Sequence, residues 1–402
     1  TVRPSGVERC MSAAESLFME RRELSTALEE NRPGSGSEIK KSTGKAFPNP
    51  FFCGIVKYKF GRRLEEQSMK KLTINEIAEK AGVSKTTVSF YLNGKANKMS
   101  EETQQRIQQI IDETGYEPSA AARAMKAKSS GLIGVILKDA ADPYCARALK
   151  GMGEAAGETE YQILIGSSGY TFKNEREHVE RMLKAGAEGF IIQATYRFGM
   201  LAGELEKKRK PIIYLEAKPY DFKGRYVKGN NYDCVYQVIT ECIKKGYGDF
   251  LMISDGETSM GTAFENTAGY RDALQDAGLE GRTLYVQSGA RSAQIFEALK
   301  DELDLSLHTL IYVAAPELLK AVFQALRSLP DYERLFPEHL GLIGFDPEGW
   351  TRMTSPPVSA IIPPAQEEGK RAMTELLELL DGKKKDTEVV FKNIVKWRGT
   401  TV

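Results

Sequence analysis

The sequence predicts a mixed fold in two parts: an all-α head of three short helices, followed by an α/β body of two similar lobes. Three observations predict it. Short, capped amphipathic stretches crowd into residues 69–117. From residue 131 onward, short apolar strands alternate with helical segments. And 402 residues at 41% apolar composition exceed one compact domain while leaving ample material for real cores.

Residues 1–68 show no sustained helix or strand period, and Pro33-Gly34-Ser35-Gly36 and Phe47-Pro48-Asn49-Pro50 interrupt the chain. We expect disorder or a non-native extension here, with Met69 as the native start and a regulatory arm as the alternative. At Met69 the character changes into Met-Lys-Lys-Leu and then a well-capped helix.

Thr73-Ile74-Asn75-Glu76 reads as a capping box: the Thr73 hydroxyl can accept from the Glu76 backbone N–H, and the Glu76 carboxylate can accept from the Thr73 N–H. Ile74, Ile77 and Ala78 share one face of the helix that follows. Gly82 supplies a tight turn with positive φ, and Ser84 caps a second helix running to about Leu92. A third helix starts at Ser100, with Glu101 and Glu102 at its positive N-terminal end and Ile107, Ile110 and Ile111 inward. Along the second helix Val88 and Leu92 face in, which leaves Lys85, Thr86, Thr87, Ser89, Phe90 and Asn93 toward the outside or its margins. Short hydroxyls and a cation suit base edges and phosphates in a major groove, although any small three-helix module also leaves a polar face to solvent. Between residues 70 and 130 ten Lys and Arg stand against seven Asp and Glu, a surplus that does not decide between the two.

Several residue runs carry a specific likeness. Leu72 through Ser84, the continuation Thr87-Val88-Ser89, Leu92-Asn93-Gly94, and Gly115-Tyr116-Glu117-Pro118 resemble the lactose/galactose-repressor (LacI/GalR) family. The resemblance runs on through Ala121-Ala122-Arg123-Ala124-Met125-Lys126 and Leu132-Ile133-Gly134-Val135, and covers nearly all of 70–402. Ser84 to Ala96 is most similar to the fructose- and sucrose-type catabolite repressors of that family. Most other members have Arg where Phe90 stands, so the half-site preference is expected to differ; Phe90 either meets a thymine methyl or packs.

Residues 118–130 can form a short Ala-rich helix of about two turns, capped by Ser119 and marginal in water by itself. The resemblance implies a hinge that inserts a leucine into the minor groove at the operator centre, and Met125 occupies that place here. Two hinges meeting at one base step imply a twofold dimer.

In the body, strands are expected at Leu132–Leu137, Gln162–Ile165, Gly189–Ile192, Pro211–Leu215, Phe250–Ile253, Thr283–Val286, Leu310–Val313 and Leu340–Gly344. Eight strands fit two lobes better than one sheet. The resemblance implies the same: a periplasmic-binding-protein-like body with a cleft between lobes and three chain crossings, the last close to Ser359–Pro364. Open α/β sheets bind ligands at the carboxyl ends of their strands. That points to Tyr144 in Asp142-Pro143-Tyr144, to Glu216, and to Gly344–Trp350. The resemblance implies that Asp346 hydrogen-bonds a sugar hydroxyl, and Trp350 can stack on an apolar sugar face; a structural Asp346 capping a turn is the alternative. Where many sugar-responsive members carry arginine ahead of Ala268-Gly269-Tyr270, this chain has Met260 and Asn266, with Arg271 or Lys218 as the candidate substitutes.

Other chemistries find little support. The five cysteines include no CxxC pair, and Cys234 and Cys242 read as small buried hydrophobes. Three isolated histidines argue against a metal site or a Ser-His-Asp triad. Gly151-Met152-Gly153-Glu154-Ala155-Ala156-Gly157 has one residue too many for a dinucleotide fingerprint and reads as helix-packing glycine. No apolar run approaches the roughly 20 residues that span a bilayer. Lys plus Arg (56) nearly balance Asp plus Glu (55), so the whole-molecule field favours no partner.

The expected domains are thus 1–68, a helix-turn-helix head at 69–117, the hinge at 118–130 and an effector-binding, dimerising body at 131–402. The expected function is a sequence-specific DNA-binding transcriptional regulator, a repressor controlled by a sugar or sugar derivative. Its DNA-facing residues are Ser84, Lys85, Thr86, Thr87, Ser89, Phe90, Asn93, Tyr116, Arg123, Met125 and Lys126; its effector residues are Tyr144, Glu216, Asn266, Asp346 and Trp350. The expected partners are a near-palindromic DNA duplex, a small-molecule effector and further copies of the chain as a dimer or tetramer, in the cytoplasm and without membrane, cofactor or metal. The alternatives are a regulator whose lobes only dimerise, or a solute-binding protein.

Overall fold

The computed structural model describes residues 72–92, 94–116, 129–195, 197–217, 224–256, 261–383 and 388–401. They form two compact units, one ending ahead of Ser129 and one beginning there. The expectations for Met69, for residues 1–68 and for most of the hinge lie outside the described residues.

The first unit is the expected three-helix head. α1 spans Ile74–Ala81, α2 Lys85–Leu92 and α3 Glu101–Thr114, with a 3-10 turn at Ala96–Lys98. Both halves of the capping box form: Thr73 N donates to Glu76 Oε2 at 2.6 Å, and Glu76 N donates to Thr73 Oγ1 at 3.4 Å. Gly82 ends α1 at φ 64°, a left-handed conformation that a residue without Cβ adopts freely. Thr87 N donates to Ser84 Oγ at 3.1 Å and Thr103 N to Ser100 Oγ at 3.3 Å, so the hydroxyls read as caps satisfy first-turn donors of α2 and α3. Ile77, Ala78, Ala81, Val88 and Ile107 form the buried centre, and Ile74, Leu92, Ile110, Ile111 and Tyr116 pack around it.

The second unit alternates strands and helices. In order these are β1 (Leu132–Leu137), α4 (Pro143–Ala156), β2 (Gln162–Ser167), α5 (Phe172–Ala185), β3 (Gly189–Ile192), α6 (Gly199–Lys207), β4 (Ile212–Leu215), β5 (Arg225–Gly229) and α7 (Asn231–Lys244). Then follow β6 (Asp249–Ser254), α8 (Gly261–Asp276), β7 (Arg282–Tyr285), α9 (Ser292–Leu299), β8 (Thr309–Val313), α10 (Leu319–Leu326), α11 (Tyr332–Leu335) and β9 (Leu340–Phe345). β10 (Ser359–Ile362), α12 (Ala365–Leu380), β11 (Glu388–Phe391) and β12 (Ile394–Lys396) complete it.

The strands make two six-stranded sheets of matching order: β11-β5-β4-β3-β1-β2 in lobe 1 and β12-β10-β9-β8-β6-β7 in lobe 2. Every pairing is parallel except β10 with β12. Alternate residues of a strand reach opposite faces: Ile133, Val135 and Leu137 join the core under α4 and α12, while Ile136 joins Phe190 and Phe198 on the other side. Helices cover both faces of each sheet, which is the doubly wound arrangement. Gly151 of α4 and Gly369 of α12 let these helices touch, because a Cβ at either would collide with the backbone carbonyl of Gln366 or Ala148. That is the helix-packing role read for Gly151.

Two expectations need correction. There are four more strands than the eight read from sequence, namely β5, β10, β11 and β12; each is short, and β5 and β11 carry charged residues that blur the apolar signal. The crossing near Ser359–Pro364 is the second of three, between β10 and α12. The last runs from β11 to β12, two residues apart, and the first from β5 into α7. Asn393 stitches the first and last together: its N–H donates to Asn230 Oδ1 at 2.8 Å and its Nδ2 to Asn231 Oδ1 at 2.6 Å.

Candidate functional site

The outer face of α2 carries the residues expected to meet DNA. Lys85 and Thr86 are exposed at its start, while Ser89 and Phe90 are half-buried further along. The Ser84 and Thr87 hydroxyls lie 2.9 Å apart and share the cap, so their hydrogen-bonding capacity is partly engaged. Lys98 Nζ sits 4.8 Å from the centre of the Phe90 ring, a cation–π contact that packs Phe90 and sets a second cation beside the helix. Sequence reading missed Lys98, which the α2–α3 connection brings back to the α2 surface. Tyr116 is half-buried against the head's core, and burial raises its hydroxyl pKa. Asn93, Arg123, Met125 and Lys126 lie outside the described residues.

In the second unit the carboxyl ends of the lobe 1 strands hold a polar network. Gln193, directly after β3, is its hub: Oε1 accepts Lys138 N at 2.8 Å and Cys145 Sγ at 3.3 Å, and Nε2 donates to Glu216. Glu216, directly after β4, has φ 72°, a strained value for a residue with a Cβ. Its carbonyl accepts from Thr262 Oγ1 of α8 at 3.4 Å, which joins lobe 1 to lobe 2. Tyr144, in the first turn of α4, donates to Glu368 Oε2 of α12 at 2.5 Å. Burial, then the charges of Glu368 and Glu216, hold that hydroxyl well above the ordinary tyrosine range. Burial likewise pushes the Glu368 carboxyl up to about 7. Lys228 of β5 and Glu265 of α8 form a buried ion pair between the lobes.

Tyr144 and Glu216 therefore share one floor. Asn266, fully buried next to Glu265, donates from Nδ2 to the Ala314 carbonyl at 3.1 Å, and its Oδ1 has no partner. Asp346 and Trp350 are engaged within lobe 2. Asp346 is fully buried and accepts from Glu348 N at 3.1 Å, Gly349 N at 2.7 Å, Thr351 N at 3.0 Å and Thr351 Oγ1 at 2.5 Å. The Trp350 ring packs on Phe323 of α10, centroids 6.1 Å apart. Sequence reading missed Gln193, Lys228, Glu265 and Glu368. The strand-end rule that found Glu216 also reaches Gln193, whereas Glu368 lies on a helix with no local signal.

Among the described residues no cluster of His, Cys, Asp and Glu is arranged to hold a metal, and no helix is long and apolar enough to cross a membrane. Cys234 and Cys242 are buried, and burial pushes both thiols up to about 12.

Comparison with known proteins matches each part of this architecture. Residues 73–119 match the bacterial regulatory proteins of the lacI family. Residues 130–314 match the periplasmic binding proteins and sugar binding domain of LacI family, and residues 239–401 a periplasmic binding protein-like domain. The chain belongs to the LacI family. Its relatives include the transcriptional regulator KdgR of Bacillus subtilis, 27% identical over 329 residues that span 80% of this chain and 95% of that protein. PtxS of Pseudomonas aeruginosa is 28% identical, with 83% and 97% covered, and the repressor PurR of Pasteurella multocida 25% identical, with 79% and 95% covered. The lac repressor dimer bound to operator and an anti-inducer shares the fold at TM-score 0.68 and 19% identity, covering 83% of this chain and all of that one. The regulator CelR in complex with cellobiose does so at 0.58 and 20%, covering 82% and 99%. This LacI-family member is a DNA-binding transcriptional regulator with an effector domain, not an enzyme.

Proposed function

We propose that this regulator is a repressor whose hold on a near-palindromic operator is set by a sugar or sugar derivative bound between the two lobes. The observation that carries the reading is the polar floor at the carboxyl ends of the lobe 1 strands, tied to lobe 2 through Lys228–Glu265 and Thr262–Glu216, in the same chain as a helix-turn-helix head. A ligand touching both lobes shifts their balance by as much as it prefers one arrangement over the other. In this reading residues 69–117 read DNA, 118–130 act as the hinge with Met125 wedged at the operator centre, and 131–402 sense and dimerise, all in the cytoplasm.

The base-reading role belongs to Lys85, Thr86, Ser89, Phe90 and Asn93, with Ser84, Thr87, Tyr116, Arg123 and Lys126 on the backbone. The effector contacts fall to Tyr144, Glu216 and Asn266, with Asp346 shaping the turn that carries Trp350. The relatives support the reading by name: one is solved as a dimer on its operator, another with cellobiose.

The test begins with a duplex selected from a random library by the protein itself. Mobility shifts on that duplex, with and without a panel of sugars, are expected to show specific binding that at least one sugar changes. Sedimentation is expected to show a dimer or larger assembly. Failure to select any sequence removes the operator reading; binding that no sugar alters removes the effector reading.

A further inference from the structure

The floor of the cleft has a one-sided chemistry. Three carboxylates meet there: Glu216, Glu265 and Glu368. Glu216 acts electrostatically on both Tyr144 and Glu368, and Lys228 acts on both Glu368 and Glu265, so they form one cluster. Lys228 is its one buried cation among the described residues, and it is bound to Glu265. Arg147 stands at the exposed rim, donating to the Glu348 carbonyl at 3.1 Å.

The hydrogen-bonding inventory points the same way. The Tyr144 hydroxyl is engaged by Glu368, the Gln193 amide N–H by Glu216, the Lys228 ammonium by Glu265 and the Asn266 amide N–H by the Ala314 carbonyl. Within this cluster the side-chain atoms left without a partner are Glu368 Oε1, Glu265 Oε2 and Asn266 Oδ1, on residues 1%, 7% and 0% exposed. All three are acceptors. Buried acceptors without donors are unfavourable, and a ligand that brings donors relieves them. A ligand that brings another anion meets repulsion in a low-dielectric site whose described residues include no free buried cation to offset it.

We propose that the effector offers donors and no negative charge to this floor: a neutral or amino sugar, with sugar acids and sugar phosphates rejected. This rests on the reading of the cleft as a sugar site and narrows it to one charge class.

The experiment uses the full chain at pH 8, where Glu368 is ionised, in a thermal-shift panel of matched sets: glucose, glucosamine, glucuronate and glucose 6-phosphate, with the same series on galactose, and cellobiose against cellobionate. Stabilisation is expected only from neutral or amino members, and the anionic twin is expected to bind at least about tenfold more weakly. In Glu368→Gln, which keeps shape and an acceptor for Tyr144, that discrimination is expected to shrink. Equal or stronger stabilisation of the wild-type chain by an acid or phosphate overturns the inference and leaves the sugar reading standing. Silence of the whole panel removes the sugar reading itself and this inference with it.

Discussion

Glu188 Oε1 accepts the backbone N–H of Ser130 at 2.5 Å, at the point where the chain enters lobe 1. The same oxygen takes Ser129 Oγ at 2.7 Å, Gly131 N at 2.9 Å and Ser130 Oγ at 3.0 Å, while Tyr161 OH reaches Oε2 at 3.2 Å. Burial alone would raise this carboxyl's pKa; donors from Ser129, Gly131 and Ser130 overcome it and lower the value. A lowered carboxylate stabilises the fold above its unfolded pKa, and that contribution fades as pH falls through the folded value. Glu188→Ala is expected to speed hydrogen exchange at residues 129–132 and to weaken operator binding with the lobes still folded by circular dichroism. Unchanged exchange there would show that the clamp holds nothing.

Glu368 titrates in the opposite sense. Its folded pKa of about 7 lies above the ordinary carboxylate value, so its contribution is complete below that ordinary value and is lost as pH rises through 7. The unliganded protein is expected to melt at a lower temperature at pH 8 than at pH 5.5. Glu368→Gln is expected to remove that slope and to be more stable than wild type at pH 8 by on the order of 2 kcal/mol. Parallel melting curves for the two proteins across this range would refute it.

What was legible in the sequence was local. The capping box of Thr73 and Glu76, the turn at Gly82 and the cap at Ser84 act over three or four residues, and each stands where it was read. Long apolar strands such as β1 and β9 were equally plain. β5, at Arg225–Gly229, was not: its burial comes from neighbours in the sheet and not from its own composition. The cleft was half legible, because strand ends locate Tyr144 and Glu216, yet Lys228 meets Glu265 across 37 residues and Tyr144 meets Glu368 across 224. No spacing rule reaches that far.

The role of Asp346 was open between sugar ligand and turn cap. With four donors from residues 348–351 on its two oxygens, the turn accounts for them. Asp346→Ala orphans those buried donors and is expected to destabilise the effector body by about 2–4 kcal/mol in denaturant unfolding. A fully stable variant that has lost only its effector response would restore the ligand role.

DNA binding through α2 is expected to weaken steeply with salt, by about 0.9 in log–log slope for each phosphate neutralised. Lys85→Ala should cost about 1–3 kcal/mol on the selected duplex and relax its sequence preference. Lys98→Ala removes the cation over Phe90 as well as a charge, so its loss should extend to random DNA. Identical losses on specific and random duplexes for both variants would leave Lys85 with no reading role.

The Lys228–Glu265 pair joins β5 of lobe 1 to α8 of lobe 2 with both side chains nearly buried. Removing charges from water is costly, and the pair offsets that cost only while both partners remain. Lys228→Met leaves Glu265 buried without its cation and is expected to destabilise the protein by about 3–5 kcal/mol. Lys228→Met combined with Glu265→Leu buries no charge and should recover most of the loss, so the two substitutions are strongly non-additive. Stability, however, is only half of the consequence. An apolar contact lacks the direction of an ion pair, so the double variant should let the lobes part more freely, read as a larger radius of gyration by small-angle scattering and a weaker response of operator binding to effector. Additive effects of the two substitutions would mean that the lobes are held together elsewhere.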